Sequence, residues 1–205
     1  MLVGALKIGA EGCKCQRWED GNMVYTIGYA GLDIDRFLDI LKENKISLLI
    51  DVRSLPKSKY FKDFDDNNLS KILPKIGVKY ENWRKEFGAR QDNFEFYTNG
   101  ILDYEKFAKS EQFQNGIEKV KEFQNENICL MCSEIDPINC HRGVLCGRKI
   151  FENGMEVFHI IAKRNGETNI EDHTDFEKRL MLNLKTDNVQ DAYIRQNKKI
   201  GYKLS

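Results

Sequence analysis

Apolar residues along this chain come as short continuous runs and as stripes at helical spacing, and the two alternate. The first convincing run is "MVYTIG", residues 23–28, which reads as a buried strand ending in Gly28. Ile34, Phe37, Leu38 and Leu41 then recur at helical spacing behind Asp33, a residue type that caps helix starts. "ISLLIDV", residues 46–52, is a continuous apolar run between polar flanks, the pattern of a central parallel strand. Together these predict a βαβ unit. Residues 65–77 predict a short helix that Pro74 ends early, and "VKYEN" a third strand. Residues 83–103 read as a long loop jointed at Gly88 and Gly100, and residues 104–127 as a helix in two pieces. "ICLMCS", residues 128–133, is another buried strand. A helix follows from Gly143 to Glu152, capped by Gly154, then a last strand "MEVFHII" and one helical candidate, "DHTDFEKRLMLNL".

Strands alternating with helices predict an α/β fold. Its sheet would be mostly parallel, with helices on both faces, in a three-layer Rossmann-like arrangement. The expected organisation is an N-terminal extension at 1–22, one α/β domain at 23–185 and a polar C-terminal tail at 186–205. Met23, just before the first strand, is a candidate for the natural start. Ligands of such sheets bind outside the carboxyl ends of the strands. Three polar clusters should therefore converge: Thr26 to Tyr29, Asp51 to Ser54, and Cys132 to Glu134.

Composition narrows the function classes. The 205 residues carry 32 basic and 32 acidic side chains, so no net charge draws the chain to nucleic acid or an anionic membrane. No apolar stretch approaches the 18 or so residues of a membrane span. The start lacks a basic region, and Glu11 interrupts the approach to Cys13, so a cytoplasmic location is expected. The six cysteines are then expected to be reduced thiols.

The stretch "CSEIDPINCHRG", residues 132–143, concentrates the chemistry. Pro137 suits a first helical turn, with Asp136 or Asn139 as its cap, which puts Cys140, His141 and Arg142 near a helix N-terminus. Backbone N–H groups there favour an anion and stabilise a thiolate. Cys140 or Cys132 is thus a possible nucleophile, His141 a proton carrier and Arg142 an anion holder. The plainer alternative is a capped helix with Cys140 in the core. A metal clip of Cys132, Cys140 and His141, with Glu134 or His173, is a second alternative. It meets the objection that adjacent Cys and His rarely both reach one tetrahedral ion.

In "DVRS", Asp51 and Arg53 leave a buried strand on the same face, and a charge there needs a partner. Either they pair with each other, or Arg53 pairs with Glu134 and frees Asp51 for a ligand. "TIGYAG" offers a Gly-x-x-Gly turn that either cradles phosphate or simply joins strand to helix; it is no dinucleotide fingerprint. "LPKSKYFKDF" interleaves Lys57, Lys59 and Lys62 with aromatics. "WRKEFGAR" repeats the flavour with Trp83, Arg84, Phe87 and Arg90, and the two loops are candidate pocket walls. His173, at a helix start, either reaches the site or only caps.

"YTIGYAG", "LIDVRS", "CSEIDPINCHR" and "EDHTDF", in this order from about Met23 to His173, resemble the bacterial and archaeal domain-of-unknown-function family 488. Tyr29 stands where that family usually has His, and Phe87-Gly88-Ala89-Arg90 replaces its double-Gly loop. The resemblance implies an α/β domain and a shared polar site, but no reaction. It carries over to Asp51, Arg53, Ser54, Cys132, Glu134, Asp136, Cys140, His141 and Arg142. "LLIDVR" followed by a Cys loop and a helix is also loosely similar to rhodanese-like sulfurtransferases, whose anion loop would not tolerate Glu134 and Asp136.

The expectation is an enzyme acting on a small anionic or nucleotide-like substrate, needing no cofactor. Asp51, Glu134, Cys132, Cys140 and His141 are the catalytic candidates. Thr26, Gly28, Tyr29, Arg53, Ser54, Arg142 and His173 are the substrate-binding ones. The alternatives are a non-catalytic nucleic-acid or nucleotide module using Lys57, Lys59, Tyr60, Trp83 and Arg84, and the structural metal clip.

Overall fold

A computed structural model describes residues 23–58, 60–123, 126–163, 165 and 167–204. The expected extension at 1–22 lies outside the described residues, as does Lys59.

Six strands form one sheet: β1 (Met23–Gly28), β2 (Ile46–Asp51), β3 (Lys79–Asn82), β6 (Asn127–Cys132), β7 (Glu156–Ala162) and β8 (Thr168–Asp172). Their order is β3-β2-β6-β1-β7-β8. All neighbours are parallel except β8, which runs antiparallel to β7. Two short strands, β4 (Tyr97–Thr98) and β5 (Ile101–Leu102), make a separate hairpin within the expected long loop.

Side chains alternate across the strands, so each central strand feeds two cores. Tyr25, Ile27, Leu49, Cys129, Met131 and Ile160 face α1 (Ile34–Glu43) and α2 (Asp66–Ile72), which bury Phe37, Ile40, Leu41 and Leu69. Val24, Leu48, Ile50, Ile128 and Leu130 face the other way. That face is covered by α3 (Arg84–Phe87), α4 (Tyr104–Ala108), α5 (Glu111–Glu122), α6 (Arg148–Glu152), α7 (His173–Leu184) and α8 (Val189–Ile200). Helices on both faces make the three layers expected of the pattern. Asp33 caps α1 by accepting from Arg36 N, and Gly154, at φ 84°, terminates α6. Among the described residues no helix is long and apolar enough to cross a membrane.

The C-terminal residues differ from a polar tail. α8 buries Ala192, Tyr193 and Gln196 against the second core. Beyond it, Tyr202 O accepts from Leu102 N and Gly100 O from Leu204 N, which ties the chain end to the hairpin. The buried stripe is narrow, with lysine, arginine and glutamine around it, so it carries little hydrophobic signal.

Candidate functional site

The connections leaving β2 and β6 diverge. β2 leads to the sheet edge at β3, while β6 leads over β1 to β7. Such a divergence opens a crevice at the carboxyl ends of the two strands. A cleft of about 500 Å³ lies there, lined by residues after β1, β2 and β6, by Ala89 and Arg90, and by Tyr104, Ile200 and Tyr202.

At its base stand Cys132, Cys140 and His141, all buried. Cys132 ends β6. Asp136 accepts from Ile138 N and caps a short 3-10 turn, Pro137–Asn139. Cys140 is then extended, at φ −136° and ψ 140°, and His141 enters helix at φ −60° and ψ −25°. From Arg142 to Gly147 the helix has π-type turns before continuing as α6, a distortion common at functional sites. His141 Nε2 donates to Val52 O at 3.1 Å, so Nδ1 is the face turned to the sulfurs. Cys132 Sγ and Cys140 Sγ are each 3.9 Å from Nδ1. Cys140 Sγ donates to Glu134 Oε2 at 2.9 Å. The four described cysteines, Cys129, Cys132, Cys140 and Cys146, are free thiols.

The cluster's charges are interdependent. Burial pushes the Cys140 thiol up, but the hydrogen bond from Cys132, the Arg142 charge and His141 outweigh it and hold it well below the usual range. The bond to Cys140, then burial, drive the Cys132 thiol well up. Desolvation in the cleft, then the charge on Cys140, raise the Glu134 carboxyl. Burial lowers His141, and the bond to Cys140 and the charges on Cys140 and Glu134 more than reverse it.

Asp51 and Arg53 pair with each other. Arg53 Nε and Nη2 donate to the two Asp51 oxygens at 2.9 and 2.6 Å. Tyr80 donates to Asp51 Oδ2 at 2.7 Å. Arg53 also donates to Phe64 O at 2.8 Å and to Tyr29 Oη at 3.1 Å. Four of the five guanidinium N–H groups are thus engaged, which leaves Arg53 one donor toward the cleft it lines. Ser54 Oγ accepts from Arg90 N at 2.8 Å and fixes the second loop as a cleft wall.

Several expected ligand-binding residues serve the framework instead. Arg142 is fully buried; its Nη1 donates to Glu134 O and its Nη2 to Ile135 O at 2.9 Å. It holds the loop that carries Glu134, and Lys57 and Arg90 are the cations that line the cleft beside Arg53. The "TIGYAG" turn also packs on that loop. Tyr29 N and Ala30 N donate to Cys132 O and Ser133 O, so those amides are taken. A Cβ on Gly28 would lie 1.7 Å from Glu134 O, so only glycine lets the loop pass.

Thr26 and His173 join a different cluster on β1 and β7. Tyr193 donates to Glu177 Oε1 at 2.9 Å and accepts from His173 Nε2 at 3.0 Å. His173 Nδ1 accepts from His159 Nε2 at 3.0 Å, and His159 Nδ1 from Thr26 Oγ1 at 2.8 Å. The directions follow from Tyr193 donating outward and assign both imidazoles as neutral. Burial pushes His159 well below its ordinary value and His173 down to about 3. Of the nucleic-acid candidates, Lys57 and Tyr60 line the cleft. Trp83 is buried and donates to Glu81, and neither it nor Arg84 reaches the cleft. Tyr104 and Tyr202 line it without any signal in the sequence beyond their aromatic character.

A family model described as "Domain of unknown function DUF488" matches residues 33–148, which spans β2, β6 and the whole Cys132 to Arg142 loop. No curated protein and no solved structure matches the chain.

Proposed function

Since the chain belongs to the DUF488 family, whose description assigns no reaction, we propose from the site itself an enzyme acting on a small anionic or nucleotide-like substrate. The observation that carries this reading is the convergence of Cys132, Glu134, Cys140 and His141 at the base of one cleft. Such a concave site with a few convergent polar groups is the usual form of a small-molecule site, and about 500 Å³ suits one.

The walls suggest the substrate class. Lys57, Arg90 and the remaining Arg53 donor favour an anion. Tyr60 and Phe61, both exposed on the rim, offer faces on which a planar base stacks. In this reading Glu134 is the acid/base, at hydrogen-bond distance from Cys140, and His141 takes part through Nδ1, the face it turns to the two sulfurs. Asp51 orients Arg53 and does not touch substrate.

The test is calorimetric titration of the full chain with inorganic phosphate and with nucleoside mono- and diphosphates. Saturable binding, tighter for the nucleotides and weakened in Arg90→Ala, is expected. No binding at millimolar ligand would sink the proposal. Nucleotide recovered unchanged after long incubation with stoichiometric protein would leave a binding module in place of an enzyme.

A further inference from the structure

We propose that Cys132, Cys140 and His141 bind one zinc ion, with the fourth coordination position open to the cleft. That the ion serves the cleft's chemistry rests on the enzyme reading above; the binding itself does not.

The donor set comes first. Two thiols and an imidazole, the ligands that suit zinc and reject magnesium and calcium, place their donor atoms within 4.8 Å of one another. A tetrahedral ion, with Zn–S of about 2.3 Å and Zn–N of about 2.0 Å, needs sulfur and nitrogen about 3.5 Å apart. Both sulfurs are 3.9 Å from His141 Nδ1 and lie within 4.8 Å of each other, where a tetrahedral ion sets two sulfurs about 3.8 Å apart, so the site closes on an ion by shifts of no more than about 1 Å.

Orientation is set in advance. His141 Nε2–H is fixed on Val52 O, which leaves the Nδ1 lone pair facing the sulfurs, the outer-shell arrangement of metal-binding histidines. Adjacent Cys and His reach one point because the backbone changes from extended at Cys140 to helical at His141. Cys132 sits on a central strand, and the loop between the ligands is clamped by Arg142. Two thiolates and Zn²⁺ sum to zero charge, which suits a buried position, and binding releases the two thiol protons to solvent.

All three ligands line the cleft, so the fourth position faces it. Three protein ligands with one open position is the composition of a catalytic zinc site. Glu134, beside Cys140 on the same cleft, stands where a base for a zinc-bound water is needed.

The experiment is elemental analysis of the full chain purified reduced and without added metal, then cobalt(II) titration of the chelator-stripped protein. One zinc per chain is expected, with an intense thiolate-to-cobalt absorption band on substitution. Cys132→Ser and Cys140→Ser should each weaken zinc at least about a hundredfold, beyond the cost of losing an outer-shell partner. Cys146→Ala, and the pair Cys13→Ser with Cys15→Ser, should keep it. A reduced protein that takes up no zinc and shows no cobalt–thiolate band overturns the proposal, as does zinc that persists through both ligand variants. The cobalt band is read on unaltered protein, so a variant that fails to fold does not blunt the test. Zinc without nucleotide binding would sink the enzyme reading and leave the metal; nucleotide binding without zinc would do the reverse.

Discussion

Two buried polar clusters sit on neighbouring strand pairs of one sheet, and they differ in what they leave unused. On β1 and β7 the line Thr26, His159, His173, Tyr193, Glu177 matches each donor to an acceptor, and its histidines are enclosed. On β2 and β6, His141 Nδ1 faces two sulfurs at 3.9 Å, a long reach even for sulfur, and the group opens on a cleft. A satisfied buried network stabilises and specifies a fold. Capacity left over beside an opening is what a ligand needs. Histidine content alone does not separate the two; the partners do.

The largest expected effect is at Asp51, which stands behind the cleft-lining Arg53 and behaves as the closed cluster does. Asp51→Ala leaves the buried Arg53 charge without its partner and should cost about 3–5 kcal/mol. Urea unfolding checks this. A loss below about 1 kcal/mol would mean that Arg53 is not held by Asp51 and is free for an anion.

Acid should separate the clusters next. His173 has a folded pKa of about 3, below its unfolded value of about 6.5. Between these values the unfolded chain binds a proton that the native one refuses. Stability is therefore complete above about pH 6.5 and falls as pH drops, by about 2 kcal/mol from His173 alone at pH 5. His159, displaced the same way, adds to the loss. His141 and Glu134, raised in the fold, act in the opposite direction, so the test is the change in urea midpoint from about pH 7.5 to 5 in the parent against a His173→Phe variant; equal changes in the two would place protonated histidine in the relay.

His173→Phe should sharpen the result. The ring can still pack on Phe151 and Phe176, which contact His173 now. The variant leaves His159 Nε2–H without an acceptor and should cost about 1–3 kcal/mol at neutral pH. Its stability should also respond less to acid than the parent's, because one of the two displaced histidines is gone.

The sequence makes the open cluster easier to see than the closed one. Continuous apolar runs mark β1, β2 and β6, and the rule that sites gather at strand carboxyl ends brings Asp51, Cys132 and Glu134 together. Charge alone does not tell which side of a loop an arginine takes, so Arg142 reads as an anion holder until its bonds to Glu134 O and Ile135 O are seen. His159, within "VFHII", reads as a strand interior residue; only the fold sets it beside His173, fourteen positions away. β8 is missed because "TNIED" is an edge strand with four of its five residues exposed and no alternation to detect.

The smallest effect on folding belongs to the rim of the open cluster. Lys57 and Tyr60 are both exposed, so Lys57→Ala and Tyr60→Ala should each change stability by no more than about 0.5 kcal/mol. Their effects on ligand should diverge. Lys57→Ala should weaken inorganic phosphate and nucleotides alike, by a factor that shrinks as salt rises. Tyr60→Ala should spare inorganic phosphate and weaken nucleotides, since stacking on one aromatic face contributes about 1–3 kcal/mol. Calorimetry at two salt concentrations reads both. Equal losses for both ligands in Tyr60→Ala would show that the rim supplies shape and no stacking, and the substrate would then be a small anion without a base.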